Sequence, residues 1–167
     1  MNVVLMRHGQ AEPAGEGGDA SRALTDAGRE QIRATARALT RLGLTVAEVL
    51  SSPLVRGAQS ADVLAEVHDG ARVTRETGLA PPIAQEELLL RLDDMLEGAV
   101  ETVALVGHAP SLNEFLGLLI AETPRVAISL SKAGAACVTL VKSDAGTDVE
   151  LRWLLRREHL AALAAGA

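Results

Sequence analysis

Aromatic side chains are almost absent from this 167-residue chain, which has one Trp, one Phe and no Tyr. Hydrophobic residues still make up 48% of the sequence, so we expect a core of Leu, Val, Ile and Ala. The shortage of rings argues against a surface on which nucleic-acid bases stack. The length suits one domain with its own core, and we expect residues 1–167 to form a single domain.

Cysteine and positive charge are also scarce. Cys137 is the single cysteine and its neighbours are apolar, which is typical of a buried thiol in a reducing compartment. The formal net charge of −6 argues against a general binder of nucleic acids or anionic membranes. No hydrophobic run reaches the length of a membrane span, and Arg7 and His8 interrupt the N-terminal run before it could form a signal-peptide core. We therefore expect a cytoplasmic protein that binds neither membranes nor nucleic acid.

The N-terminal run is the most informative part of the sequence. The apolar residues 3–6 are followed directly by Arg7, His8 and Gly9. Such a run predicts a buried strand that ends at the sheet edge where α/β proteins bind ligands. An arginine can hold an anion there while the neighbouring ring attacks it, and a glycine allows close approach of the backbone. The pattern favours phosphate chemistry, although taken alone it also fits a strand with two solvated side chains at its end.

Residues 10–24 have no periodic apolar face and contain three glycines among acidic side chains. This composition predicts a loop that follows the first strand. A loop in this position either covers a bound ligand or is a plain surface excursion, and the sequence leaves both interpretations open.

A second junction between a strand and a helix follows residues 46–51, which predict a short strand. Ser52 as the N-cap and Pro53 at the first helical position predict a helix that begins there and continues to about residue 67. Arg56 would lie about one turn into this helix, from where its side chain can reach back over the edge of the sheet. The helix N-terminus adds its own preference for anions.

A third junction repeats the character of the first. Residues 102–106 predict another buried strand, and His108 follows it as His8 follows the first strand. Ser111 and Glu114 then fit a capping box that opens the next helix.

The remaining segments supply helices and paired strands. Thr25 predicts the N-cap of a helix that ends near Gly43, and residues 84–97 predict a helix with an apolar face that includes Leu88, Leu89 and Leu92. Residues 135–142 and 149–155 predict antiparallel strands joined by a turn over residues 143–146. We expect an α/β fold, a three-layer α/β/α sandwich whose mainly parallel central sheet has helices on both faces.

The three junctions place Arg7 and His8, Arg56, and His108 along one edge of the predicted sheet. Two guanidinium groups and two imidazoles suit a tetrahedral phosphoryl group, whose oxygens accept bidentate, charge-assisted hydrogen bonds. The sequence therefore predicts a site for phosphoryl transfer.

These motifs resemble the histidine phosphatase superfamily, and within it the small phosphohistidine phosphatases of the SixA type. The resemblance covers nearly the whole chain and rests on Met6 to Gly9, Leu24-Thr25 with Gly28, Ser52-Pro53 with Arg56 and Gln59, and Val106 to His108 with Pro110. It implies a phosphoglycerate mutase-like fold without a large cap.

The resemblance also implies a role for each site residue. His8 would be the nucleophile that takes the phosphoryl group, and Arg7, Arg56 and His108 would hold the phosphate oxygens, with Gly9 also at the substrate site. His8 would be neutral at its attacking nitrogen, whereas His108 would be most useful when protonated. Neither a metal nor another cofactor is implied, because these groups can supply the positive charge that phosphoryl transfer requires.

A general acid is the one part of the superfamily pattern that the sequence does not supply clearly. Larger members use a glutamate in the middle of the chain to protonate an alcohol leaving group. Glu76, Glu86 and Glu87 lie in that region, but each is explained more simply as a solvated charge. An imidazole that is already protonated on its other nitrogen can leave without such an acid. We therefore expect hydrolysis of a phosphohistidine on a partner protein, such as a phosphotransfer domain.

Other interpretations stay open. The protein could be a phosphatase or mutase that acts on a small phosphorylated metabolite, or a module that binds phosphate or phosphohistidine without turnover. A metal held by His8 and His108 would need a third protein ligand, and none is evident. His68 and His159 are predicted to be surface residues without a functional role.

Overall fold

One mixed sheet forms the centre of the protein in the computed structural model, which describes residues 1–144 and 146–166. Within this part of the chain the strands are β1 (Asn2–Arg7), β2 (Glu48–Ser51), β3 (Arg72–Arg75), β4 (Thr102–Gly107), β5 (Ala135–Ser143) and β6 (Gly146–Leu155). Their order is β3-β2-β4-β1-β5-β6. Pairing is parallel from β3 to β1 and antiparallel from β1 to β6. The prediction of a mainly parallel sheet is confirmed.

Helices cover both faces of this sheet. They are α1 (Asp26–Arg41), α2 (Val55–Val67), α3 (Gln85–Glu97), α4 (Ser111–Ala121) and α5 (Arg157–Ala165), with short 3-10 turns at Asp19–Ser21 and Thr77–Leu79. Helices α1, α2 and α5 pack on one face, and α3 and α4 pack on the other. The predicted three-layer arrangement is therefore confirmed.

Strand β1 shows how the sequence builds two cores at once. Val4 and Met6 point into the core beneath α1 and α2, whereas Val3 and Leu5 point into the core beneath α3 and α4. All four side chains are fully buried, as expected for a strand covered on both faces. An uninterrupted apolar run was therefore the correct indication of a central strand.

Two predicted helix caps have different outcomes. Thr25 caps α1 as predicted, because its hydroxyl accepts a hydrogen bond from the backbone N–H of Gly28 at 2.9 Å. The predicted capping box of Ser111 and Glu114 is wrong, since Pro110 occupies the N-cap of α4 and the backbone N–H of Glu114 bonds the Pro110 carbonyl instead.

The prediction that His68 lies on the surface is wrong. Its side chain is buried, and Nδ1 accepts a hydrogen bond from the backbone N–H of Val46 at 3.4 Å. Burial lowers the pKa of His68, which keeps the ring neutral where the α2 turn closes on the core. His159 is exposed on α5, as predicted.

Three smaller observations complete the fold. Leu89 was placed on the apolar face of α3 but is exposed, whereas Leu88 and Leu92 are buried as predicted. The predicted turn over residues 143–146 includes Ala145, which lies outside the described residues. Among the helices that the structure describes, none has both the length and the hydrophobicity needed to cross a bilayer.

Candidate active site

The ends of three adjacent strands create the candidate site. Strands β2, β4 and β1 lie side by side and end together, with Arg7 of β1 in register with Gly107 of β4. The next residue on each strand is Ser52, His108 and His8, respectively. The backbone N–H of His8 bonds the Gly107 carbonyl at 3.1 Å, which extends the sheet pairing by one step and fixes the two histidines next to each other.

His8 is held in one tautomer. Its Nδ1 lies 2.7 Å from the carbonyl oxygen of Gly9, which can only accept, so Nδ1 carries the proton. Nε2 therefore carries no proton, and its lone pair accepts a hydrogen bond from the Nε–H of Arg56 at 3.3 Å. The pKa of His8 is lowered to about 4, chiefly by burial and also by the positive charges of Arg56, Arg7 and Lys132, against the opposing effect of the Gly9 hydrogen bond. The ring is thus neutral and nucleophilic at neutral pH.

His108 faces His8 with its ring centroid 5.0 Å away. Its Nε2 lies 2.8 Å from the hydroxyl of Ser52, and its buried Nδ1 has no partner among the described residues. Burial, followed by repulsion from His8 when that ring is protonated and from Arg56, lowers the pKa of His108 to about 3. His108 is therefore neutral in the ligand-free site, because burial beside cations disfavours a further positive charge, and its action as a protonated group stays a prediction.

Ser52 belongs to the site rather than to a helix cap. Helix α2 begins at Val55 with Leu54 at its N-cap, two residues later than predicted. The Ser52 hydroxyl is fully buried, lies 2.8 Å from Nε2 of His108 and accepts a hydrogen bond from the Leu54 N–H at 3.3 Å. Gly57 permits this arrangement, since a Cβ at position 57 would lie 3.1 Å from that of Ser52 and 3.5 Å from Nε2 of His108. A glycine in the first turn of a helix, directly after Arg56, was the sequence indication of such close packing.

Arg56 is buried, and every nitrogen of its guanidinium group has a protein partner. Nε donates to His8, as described above. Nη1 donates to the main-chain oxygen of Asp19 at 2.6 Å, and Nη2 donates to the Asp19 carboxylate at 2.8 Å. Arg56 therefore lies beside His8, as predicted, and its two bonds to Asp19 also hold the 10–24 loop.

Arg7 approaches the same site from the end of β1. Its Nη1 donates to the Leu130 carbonyl at 3.0 Å, and its buried Nε has no partner within residues 1–144 and 146–166. Burial lowers the pKa of Arg7, and its charge lowers the pKa values of both His8 and His108. The structure thus gathers all four predicted basic residues around one edge of the sheet.

Comparison with known proteins agrees with this geometry. Residues 3–80 match the family model described as histidine phosphatase superfamily (branch 1). An uncharacterized protein of Picosynechococcus is 31% identical over 93% of this chain and 99% of its own length. The solved structure of the protein histidine phosphatase SixA, complexed with tungstate, superimposes with a TM-score of 0.81 at 26% identity and covers 96% of this chain and 99% of that one. The chain belongs to the histidine phosphatase superfamily.

A mitochondrial serine/threonine-protein phosphatase, Pgam5 of Drosophila grimshawi, is 38% identical over 63 residues. This match covers 38% of the chain and 22% of that protein. Membership in the superfamily and the SixA-like structure support phosphatase activity for this chain.

Gly9 has a structural task in this phosphatase fold. A Cβ at this position would lie 2.6 Å from the Gly28 carbonyl in α1, so only glycine fits. The Gly9 N–H donates to the Ser60 hydroxyl at 3.2 Å, and its carbonyl fixes His8. Gly9 therefore orients the proposed nucleophile, and its contact with substrate stays a prediction.

The three candidate acids do not contact either active-site histidine in the structure. Glu76 follows β3 and accepts a hydrogen bond from the Gly78 N–H at 3.3 Å, whereas Glu86 and Glu87 are exposed on α3. The carboxylate that does reach the phosphatase site is Asp19, which the sequence had shown only as part of an acidic loop. Among the described residues, no group of three His, Cys, Asp or Glu side chains could hold a metal ion.

Proposed function

We propose that this protein hydrolyses the phosphoryl group of a protein phosphohistidine through a covalent intermediate on His8. The observation that carries the proposal is the fixed tautomer of His8. The Gly9 carbonyl holds the proton on Nδ1, and the lone pair of Nε2 points to the guanidinium of Arg56, where a bound phosphoryl group would lie. Because the pKa of His8 is about 4, Nε2 is unprotonated at neutral pH.

The first step transfers the phosphoryl group to the enzyme. The lone pair of His8 Nε2 forms a bond to phosphorus while the P–N bond of the substrate breaks. The electron pair of that bond stays on the leaving imidazole nitrogen, and the substrate histidine departs as a neutral ring when its other nitrogen carries a proton. The charges of Arg7 and Arg56 stabilise the phosphoryl oxygens during the transfer.

The second step regenerates the enzyme. A water molecule attacks the phosphorus, the bond to His8 Nε2 breaks, and the electron pair returns to the ring as inorganic phosphate forms. His108 is neutral in the ligand-free site and offers an N–H to a phosphoryl oxygen. A dianion beside it would favour the protonated form, since the like charges that lower its pKa are then compensated.

The proposed substrate follows from the carboxylates around the site. An alkoxide leaving group needs a proton donor, but Glu76 bonds its own turn and Asp19 is ionised because hydrogen bonds from Arg22 and Arg56 lower its pKa. A phosphohistidine avoids this requirement. The similarity to SixA, whose structure holds the tetrahedral oxyanion tungstate, supports the same choice. A phosphotransfer domain is the kind of partner that we propose.

The proposed reaction needs no metal, and the proposed location of the protein is the cytoplasm. Arg7 and Arg56 supply the positive charge that a metal would otherwise provide. Burial raises the pKa of the Cys137 thiol to about 11, which makes this thiol inert and compatible with a reducing compartment.

A kinetic comparison tests the substrate. We expect kcat/KM for a phosphohistidine peptide to exceed that for small phosphomonoesters by about tenfold or more, because only the peptide has a leaving group that needs no acid. Sugar phosphates serve as the matched small substrates. A preference for sugar phosphates would replace the proposal with a small-molecule phosphatase, and binding of the peptide without release of phosphate would indicate a binding module.

A further inference from the structure

Each of the three guanidinium nitrogens of Arg56 already donates to a protein acceptor in the ligand-free site. Its Nη1 and Nη2 groups are 2.6 and 2.8 Å from the main-chain and carboxylate oxygens of Asp19, and its Nε–H points to His8 at 3.3 Å. Two oxygens that face two guanidinium nitrogens reproduce the way a phosphoryl group is bound by arginine. Asp19 thus contacts the same guanidinium group that the proposed mechanism assigns to the phosphoryl oxygens of the substrate.

The loop that carries Asp19, residues 10–24, is held by hydrogen bonds at its base. Ala11 and Leu24 pair as an isolated bridge, and the side chain of Gln59 in α2 accepts a hydrogen bond from the Leu24 N–H at 2.7 Å. Arg22 then donates to the Glu12 carbonyl at 2.6 Å and to the Asp19 carboxylate at 3.0 Å. The base of the loop is therefore held in place, while its tip is exposed.

A bound phosphoryl group can replace Asp19 as the partner of Arg56. Arg56 is almost completely buried, so a counterion is required to offset its charge when no ligand is bound. The Asp19 side chain is 62% exposed, which keeps the ion pair weak because water screens it. A phosphoryl dianion carries more charge and more oxygens than one carboxylate, so it can take over the guanidinium.

We infer that Asp19 is a positioning residue that holds Arg56 in a resting position and competes with the phosphoryl group of the substrate for this guanidinium. The inference rests on the proposed function, in which Arg56 binds the phosphoryl oxygens. When the substrate displaces Asp19, Arg56 turns from His8 toward the phosphoryl group and uncovers the lone pair of Nε2. Binding of the substrate is thereby coupled to release of the His8 lone pair from Arg56.

Substitution of Asp19 tests this competition. Asp19→Asn keeps the shape of the side chain but removes its charge, and Asp19→Ala removes the whole contact of the carboxylate. We expect both variants to bind tungstate about two- to fivefold more tightly than the wild-type protein, since an exposed ion pair of this kind is weak. Inorganic phosphate should become a stronger inhibitor by a similar factor, and the gain should appear in KM rather than in kcat.

Glu16→Gln is the matched control, because it removes the same charge from the same loop and Glu16 makes no ion pair within the described part of the chain. Its tungstate affinity should equal that of the wild-type protein. Equal or weaker binding of tungstate by Asp19→Asn and Asp19→Ala would overturn the inference, because Asp19 would then support Arg56 rather than compete for it.

Two further outcomes separate this inference from the proposed function. If Arg56→Ala binds tungstate as tightly as the wild-type protein, Arg56 is not the anion site and both conclusions fail. If the Asp19 variants bind tungstate more tightly but no variant hydrolyses a phosphohistidine peptide, the competition at Arg56 stands and the proposed substrate is wrong. Isothermal titration calorimetry gives the tungstate affinities without any need for turnover.

Discussion

His8 and His108 occupy matching positions on neighbouring parallel strands, yet their surroundings prepare them for different chemistry. Each follows the last residue of a buried strand, and each is almost fully buried with a strongly lowered pKa. The difference lies in the nitrogen that is engaged. His8 is bonded through Nδ1 to a backbone carbonyl, whereas His108 is bonded through Nε2 to the Ser52 hydroxyl.

The two hydrogen-bond partners, the Gly9 carbonyl and the Ser52 hydroxyl, restrict the position of the ring proton to different extents. A carbonyl oxygen only accepts, so the Gly9 contact fixes the proton of His8 and leaves one defined lone pair. A hydroxyl both donates and accepts, so the Ser52 contact is compatible with either tautomer of His108 and with its protonated form. A fixed lone pair suits a nucleophile, and an adaptable proton suits a group that stabilises changing charge on the phosphoryl oxygens.

Removal of His8 should have the largest effect. We expect His8→Ala to lower kcat by about 10⁴-fold or more, since the neighbouring ring of His108 bonds Ser52 rather than Arg56 and loss of a nucleophile is rarely compensated. His159→Ala is the matched control, because His159 is exposed on α5 far from these contacts in the sequence.

The same pair of variants checks the covalent step directly. Quenching in alkaline detergent, in which the P–N bond of phosphohistidine survives, should trap labelled phosphate on the wild-type protein and on His159→Ala but not on His8→Ala. A labelled His8→Ala protein would show that another residue is the nucleophile.

Removal of His108 should lower kcat less than removal of His8 and should not abolish the covalent step. We expect His108→Ala to lower kcat by about 10²- to 10³-fold, the usual result of losing one donor to the transition state. The variant should still form the phosphorylated intermediate on His8, only more slowly. His108→Asn keeps an N–H donor near the position of Nδ1 and should recover part of the loss. If His108→Ala prevented labelling as completely as His8→Ala, the proposed division of roles would be wrong.

The lowered pKa values predict a specific response to acid. The folded protein keeps His8 and His108 neutral down to about pH 4 and 3, whereas in the unfolded chain they take up protons below their ordinary pKa of 6.5. The unfolded state therefore binds more protons between pH 6.5 and 4, so stability falls as the pH falls through this window. At pH 5 the loss amounts to about 2 kcal/mol for each ring.

Urea unfolding of wild-type protein and of His108→Asn at pH 7 and pH 5 measures this loss. Ring-proton NMR provides the independent check, because the signals of His8 and His108 should not shift between pH 7 and pH 5. A midpoint near pH 6.5 for either ring would contradict the effect of burial. Substitution of His108 should reduce the difference in stability between the two pH values.

The structural features that depend on a single segment of the chain could be predicted from the sequence. The apolar runs of β1 and β4 were sufficient to locate His8 and His108 at strand ends, because full burial of a strand leaves a recognisable pattern. The helix predicted directly after residues 46–51 added Arg56. The arrangement of sheet and helices followed from the same runs and their spacing.

The contacts that tune the site could not be predicted in the same way. Ser52 touches His108 from 56 positions away, and Asp19 touches Arg56 from 37 positions away. A serine before a proline fits a helix cap equally well, and an acidic loop residue fits a solvated charge. The buried His68 was missed for a similar reason, since the Val46 N–H that it bonds lies 22 positions away.

Removal of the Ser52 hydroxyl should have the smallest effect on kcat. It tests whether the partner of His108 matters to the difference between His108 and His8. We expect Ser52→Ala to lower kcat about fivefold, because one neutral hydrogen bond contributes about 1 kcal/mol and the His108 ring loses its orientation without it. Ser51→Ala is the matched control, since Ser51 is equally buried but accepts a hydrogen bond from Arg75 at 2.9 Å. Ser52→Ala in a His108→Ala background should cause little further loss, because the hydroxyl acts through that ring. Additive losses would mean that Ser52 acts on the phosphoryl group by itself.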